Sequence, residues 1–283
     1  MKRLFQDINI IKELSVVMFM ITLLSCNSID KDTQTPIKKI SEFNVVSVDT
    51  TVALFASYEK PDCHLKLEFE LPESKSSSKT LDAINTMIIA LTQDGSYSDN
   101  GKDVEGMIKQ YTKSYILNYL EEGIDAIANY GEDLEAAANW MTYEETCNGK
   151  VIYNENNLFS YSVSLYSYTG GAHGNNSNRV ATLDLNNRNI ISLETMFDSG
   201  KLPILQEEIV NHLKEDGYQL LNEEIDLTDN FYLNNKGVSF VYDPFDVAAY
   251  SDGEIEVTVS WNDIKPLLSV NNPLLKNPIV NGE

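Results

Sequence analysis

The chain has 283 residues, 43 acidic against 21 basic side chains, a formal net charge of −22 and an apolar content of 42%. That length allows one large domain or two modest ones, and that apolar content suffices to bury a core. The charge excludes nucleic acid and anionic lipid as partners, which it would repel, and favours basic ones.

In chain order, an address comes first. Lys2, Arg3 and Lys12 accompany an apolar run of eleven residues at 14–24. The run is too short to span a bilayer, which needs about 20 residues, and fits the apolar segment of a secretory signal peptide. It ends in Leu23-Leu24-Ser25-Cys26, which resembles a bacterial lipobox. The expectation is a lipoprotein signal peptide over 1–25, with cleavage before Cys26 and a lipid on its thiol. The protein would then be held to a membrane of the cell envelope, periplasmic or surface-exposed. The plainer alternative is an ordinary signal peptide with an incidental cysteine. Residues 1–25 carry three basic and two acidic side chains, so their removal takes the charge from −22 to −23. Residues 26–42 read as a flexible tether.

Residues 43–58 are β-like. From 63 to 71, Cys63, Leu65, Leu67, Phe69 and Leu71 alternate with His64, Lys66, Glu68 and Glu70, a half-buried strand. Thr80 is placed to cap a helix over 81–91, with Asp82 in its first turn. Residues 93–101 are a loop. Val104, Met107, Ile108, Tyr111, Tyr115 and Tyr119 recur at helical spacing and predict a helix over 102–120. Three tyrosines in line suggest a sugar-stacking surface, but the amphipathic rhythm reads them as a core face. A further helical stretch covers 121–140, broken at Gly131. Asn148-Gly149 is a turn signal.

Residues 158–185 form the centre of the chain. Phe159, Tyr161, Val163 and Leu165 alternate with Ser160, Ser162, Ser164 and Tyr166, and a return strand runs over 180–185. The polar loop between them, 169–178, holds Gly170, Gly171, Gly174 and His173. Beyond it, Pro203 opens a helix carrying Leu205, Ile209 and Leu213, and Gly217 stops it. Alternating strands follow around Phe231, Phe240 and Val257, with a turn at 234–237. Asn262 is placed to cap a short helix into Leu268, and residues 271–283 read as a loose tail.

The candidate binding loop comprises Tyr168, Gly170, Gly171, His173 and Asn175. Three glycines permit positive φ and close backbone approach, and His173 is one of only three histidines. A hydrolase at this loop would need a pocket with a carboxylate in reach of the imidazole. A binding surface would be flat or exposed, with His173 buried and satisfied. No G-x-S-x-G exists, and three scattered histidines without C-x-x-C suggest no metal. Asp243, Asp246 and Asp252 read as a solvated acidic loop. No catalytic residue is assigned and no cofactor is expected. In an oxidising envelope, Cys63 and Cys147 are the pair left for a disulfide.

The run Tyr166-x-Tyr168-Thr169-Gly170-Gly171-Ala172-His173-Gly174 resembles the domain of unknown function at the C-terminal end of the anti-sigma factor RsiV, which also accompanies the peptidoglycan deacetylase PdaC. Leu193-x-x-Met196-Phe197, Asn230-Phe231-x-Leu233, Gly237-Val238-x-Phe240, Tyr242 with Pro244, Ala249-Tyr250-x-x-Gly253 and Val257-x-Val259 follow in the same order. The resemblance covers about 151–268. Residues 43–146 resemble, more faintly, the companion domain that precedes it. The implied organisation is a PdaC-like α+β subdomain over 43–147 and an RsiV-like α+β domain over 148–270. The expected fold is α+β, mostly antiparallel sheets with helices packed on one side. The extracellular part of RsiV binds lysozyme, whereas PdaC has a separate deacetylase domain that has no counterpart in this sequence. The resemblance therefore implies a non-catalytic envelope lipoprotein that binds a protein or cell-wall partner, in its sharpest form a basic, lysozyme-like one. The alternatives are an envelope hydrolase using the His173 loop and a structural member of an envelope assembly.

Overall fold

The structure, a computed structural model, describes residues 39–55, 61–73, 78–92, 103–130 and 140–281. The signal peptide, Cys26, most of the tether, the loop at 93–101 and Gly131 lie outside these residues.

Strands β1 (Phe43–Ala53) and β2 (Asp62–Pro72) form an antiparallel hairpin. Cys63, Leu65, Leu67, Phe69 and Leu71 are all buried, as the alternation predicts. β3 (Tyr143–Glu155) lies parallel to β2, and β4 (Leu158–Tyr168), β5 (Asn175–Asp184) and β6 (Asn189–Ile190) follow antiparallel in sequence order. The parallel join needs a long crossover, and helices α1 (Ser78–Thr92) and α2 (Val104–Tyr130) lie within it. They bury Ile84, Met87, Ile88, Met107 and Ile108 against Leu67, Phe69, Phe159 and Tyr161 of the sheet. The α+β class, with its mostly antiparallel sheet, is thus as expected.

Several local expectations change. The second helix is a single element of 27 residues, not two. Gly123 does not break it: a Cβ there would fall 2.1 Å from Leu54 Cδ1, so this glycine admits a leucine from the end of β1. Tyr119 is buried, consistent with a core stripe. Thr80 is not a cap but a fully buried residue inside the first turn of α1. Asn148-Gly149 is no turn and lies in the middle of β3. Its glycine makes room for two rings, because a Cβ would sit 2.4 Å from Phe69 Cδ1 and 2.5 Å from the Tyr161 hydroxyl. The turn itself is Asn156-Asn157, with φ of 54° and 62°, the left-handed pair that a tight hairpin of this kind requires.

The disulfide between Cys63 and Cys147 does not form; both thiols are free and buried. Cys63 pairs with Tyr143 and Cys147 with Leu67 across β2 and β3. The two cysteines are therefore offset by four residues on neighbouring strands, roughly 13 Å at about 3.3 Å per residue, beyond the ~7 Å reach of a disulfide. Burial pushes the Cys63 thiol up to about 11 and the Cys147 thiol up to about 12.

Successive residues of β4 point to opposite faces. Phe159, Tyr161 and Val163 meet the helices, while Leu158, Ser160 and Ser162 turn the other way. On that second face sits a smaller antiparallel sheet of β7 (Phe231–Leu233), β8 (Gly237–Tyr242) and β9 (Ile255–Ser260). Buried hydrogen bonds join the sheets: Ser160 Oγ donates to the Leu233 carbonyl at 2.8 Å, and the Leu233 N–H donates to Thr182 Oγ1 at 2.8 Å. The short helix α3 (Leu193–Met196) buries Met196 in the same core, and the longer α4 (Leu202–Glu215) backs the small sheet with Leu205, Ile209 and Leu213. The next short helix, α5 (Trp261–Ile264), starts from Ser260 rather than Asn262.

The tail is not loose. A 3₁₀ turn (Pro273–Lys276) and α6 (Pro278–Asn281) bury Leu274, Ile279 and Val280. The two Asn-Pro pairs that suggested looseness are helix starts. Asn272 Oδ1 accepts from the Leu274 N–H at 2.9 Å and Asn277 Oδ1 from the Ile279 N–H at 3.1 Å, each with proline at the next position.

Candidate functional site

The glycine loop is shorter than the sequence suggests, because β5 begins at Asn175, opposite Ser167. Gly170 and Gly171 hold φ of 85° and 99°. A Cβ on Gly170 would meet the Trp140 carbonyl oxygen at 2.3 Å, so the loop folds flat against the chain entering β3. The Tyr168 hydroxyl donates to the Gly171 carbonyl at 2.9 Å and ties the loop to its strand. Gly174 lies on the ring of Tyr166, where a Cβ would come within 2.5 Å of Cε2. Tyr168, Gly170, Gly171 and His173 are thus brought together, and Asn175 is an exposed residue at the strand edge.

His173 is exposed, not buried as a binding surface was expected to leave it. Its Nδ1 lies 3.3 Å from the Gly174 carbonyl and 3.4 Å from the Tyr250 hydroxyl. Neither neighbour is a carboxylate that could orient the ring for general base chemistry. The imidazole instead lies beside the ring of Tyr250, with centroids 5.6 Å apart, and Tyr250 lies beside Phe245 at 5.3 Å. Phe245 is 63% exposed and Tyr250 42%.

Phe245 also holds φ of 76°, in the left-handed region that a bulky side chain avoids. Such strain costs on the order of 1–3 kcal/mol and persists only where the surroundings enforce it. The loop is held at its base. Arg179 Nη2 pairs with Asp243 Oδ2 at 2.7 Å, and the carboxylate's hydrogen bond raises the pKa of the guanidinium further. The Asp243 N–H donates to Asp246 Oδ2 at 2.9 Å, and Asn178 Nδ2 donates to Glu254 Oε1 at 3.2 Å. Partial burial raises the Glu254 pKa. An apolar ring is therefore carried into solvent by a braced loop.

Sequence reasoning found the glycine loop and His173, named Tyr250 only as a residue of the resemblance, and missed Phe245 and Arg179. Tyr250 lies 77 positions from His173, a pairing no local pattern encodes. The one available signal was an aromatic residue between aspartates, Asp243-Pro244-Phe245-Asp246, in a segment otherwise read as solvated. The remaining histidines have structural roles: His64 Nε2 lies 2.9 Å from Asp49, and His212 Nδ1 lies 2.9 Å from the Glu208 carbonyl. Among the described residues no cluster of metal-ligating side chains occurs.

Comparison with known proteins agrees with this architecture. Residues 60–176 match the family model described as deacetylase PdaC, and residues 194–262 match that of a protein of unknown function, DUF3298. The Gly170-Gly171-Ala172-His173 run falls in the first match, not in the second. A DUF3298 family member from Bacteroides fragilis is 25% identical with a TM-score of 0.71, covering 86% of this chain and 97% of its own. A DUF3298 family protein from Pseudomonas aeruginosa is 14% identical with a TM-score of 0.55, covering 82% and 97%, and shows the fold alone. No curated protein matches the chain. The two model matches follow one another in the order the motifs suggest, and the protein is built as a PdaC-like segment followed by a DUF3298 domain.

Proposed function

We propose that the protein is a non-catalytic lipoprotein of the cell envelope, periplasmic or surface-exposed and anchored through Cys26, that binds a protein or cell-wall partner. The binding surface is the glycine loop together with the Phe245–Tyr250–His173 row. The observation that carries this reading is Phe245, an exposed ring held at positive φ and packed at a tilt against Tyr250, which lies in turn against His173. Exposed aromatics on a braced frame present contact area at little entropic cost, which is what interface anchors do. A hydrolase at this loop would require a carboxylate beside the imidazole; the neighbours His173 has are a carbonyl and a phenol. A basic, lysozyme-like protein is the sharpest form of the partner, because it complements the formal charge of −22.

Calorimetric titration with lysozyme at low salt and at about 0.3 M tests this, since long-range attraction is screened at the higher value. Saturable one-to-one binding that survives the salt and is lost on Phe245→Ala supports the reading. Binding that vanishes with salt, or is indifferent to Phe245→Ala, refutes it for lysozyme. Titration with peptidoglycan fragments then decides for the cell-wall form of the partner.

A further inference from the structure

We infer that the occupant of this surface is a cationic, arginine-bearing protein segment, laid from the Phe245–Tyr250–His173 row onto the open face of the six-stranded sheet. This rests on the binding reading above and specifies the chemistry of the partner.

The small sheet covers the second face of the large one over β4 and β5, where Ser160 and Thr182 are fully buried, and Tyr153 of β3 packs on the same core. Among the described residues the same face is open towards β1, β2 and the first part of β3. Strand register sets out its rows: Thr51, His64, Glu144 and Tyr168 form one, and Asp49, Lys66, Thr146, Tyr166 and Asn176 the next. Asp49, Lys66 and Glu144 on these rows are exposed. Tyr166 joins this floor to the ring row, because Gly174 lies on its ring and His173 precedes Gly174. The glycine loop thus links the floor, at Tyr166, to the ring row, at His173.

Its chemistry is two-fold. It offers three adjacent rings, His173 beside Tyr250 and Tyr250 beside Phe245, tilted 44° and 37° to one another. The connection from β8 to β9 that carries Phe245 and Tyr250 also carries exposed Asp246, Asp252 and Glu254, and the guanidinium of Arg179 is already paired with Asp243. On the floor, Asp49 is in register with Lys66 and Glu144 with His64, whose Nε2 lies 2.9 Å from Asp49, and Glu68 stands one row on, opposite Ser47 and Asn148. A neutral glycan would stack on the rings and donate its hydroxyls to the carboxylates, but it would leave their negative charge uncompensated. An anionic polymer would be repelled. Arginine uses both, because its planar cation stacks on an aromatic face and pairs two-pronged with a carboxylate. Lysine meets only the charge.

The test uses the full-length protein in mild detergent with three probes: a hexa-arginine peptide, a hexa-lysine peptide and chitotetraose. Titration is done at about 0.15 M salt, where charges more than ~8 Å apart are screened. The expected result is hexa-arginine binding about fivefold or more tighter than hexa-lysine, with roughly a tenfold loss on Tyr250→Ala or Phe245→Ala. The double variant Glu207→Gln with Glu215→Gln, on α4, removes the same kind of charge elsewhere and should leave hexa-arginine affinity unchanged. Equal binding of the two peptides, indifferent to Tyr250→Ala, would mean net charge acting alone and would overturn the inference. Chitotetraose binding lost on Tyr250→Ala, with weak peptide binding, would overturn the cationic occupant but keep the ring row as a binding surface. Ring variants that alter neither these probes nor lysozyme or peptidoglycan binding would remove both readings.

Discussion

At the scale of single residues, Phe245 is where stability and binding part company. A non-glycine residue at φ of 76° carries strain that glycine does not. Alanine there keeps the strain and loses the ring, while glycine loses both. The usual order, in which alanine is more stabilising than glycine, should therefore reverse. Phe245→Gly is expected to unfold in urea about 0.5–1 kcal/mol later than Phe245→Ala, with binding lost in both. Alanine proving the more stable would mean the backbone there is unstrained. This residue was illegible in the sequence because an apolar side chain in a polar loop carries no sign of whether it folds inward or stands out. His173 was legible because three glycines flag an unusual backbone. Its exposure was not, since that depends on Tyr250 from a distant loop.

At the scale of elements, alternation made β2 and β4 readable, and i, i+4 spacing did the same for α4. Asn148-Gly149 misled because glycine has two uses, positive φ and absence of bulk, and only packing tells them apart. In β3 the absence of bulk decides. Gly149→Ala would drive a methyl into Phe69 and the Tyr161 hydroxyl, both buried. It is expected to lower the urea unfolding free energy by about 1–3 kcal/mol, the usual cost of overpacking; a neutral result would mean the rings can withdraw freely.

The join between α2 and the sheet holds a second test. Glu145 is 5% exposed and accepts a hydrogen bond from the Tyr111 hydroxyl. Burial raises its pKa, and the Tyr111 bond opposes that only in part. A carboxyl raised in the folded state favours folding while protonated. That contribution is complete below the unfolded value of about 4.3 and is lost as pH rises through the folded value. Urea midpoints of wild type and Glu145→Gln should therefore diverge as pH rises from 4 towards 8, with the glutamine variant gaining relative stability. Parallel pH profiles would show that Glu145 titrates normally. The pairing was invisible in the sequence, where Glu145 is one acid among 43.

At the scale of the whole molecule, the fold class was readable from composition and periodicity, but the way the two sheets meet was not. The parallel join of β2 to β3 makes one sheet from strands on both sides of the helical crossover, and β3 runs as one strand from 143 to 155 with a register shift against β4 between Val151 and Tyr153. Serines on β4, which read as a solvent face, are instead partly the polar seam beneath the small sheet. Ser160 and Thr182 hydrogen bond to each other at 2.8 Å and to both backbone groups of Leu233, while Asn230 bridges the Val180 N–H and the Asn178 carbonyl. Every one of these bonds crosses between the sheets or supports one that does. A seam of this kind couples the sheets energetically, because separating them strands buried polar groups. Thr182→Val keeps the shape but leaves the Leu233 N–H without its acceptor, at an expected cost of about 1–3 kcal/mol. The loss should appear as a shift of one shared transition, with tryptophan fluorescence near Trp261 in the small-sheet core and far-ultraviolet dichroism of the helices coinciding in urea. Separate midpoints for the two signals, in wild type or variant, would mean that the seam does not unite the sheets and that each folds by itself.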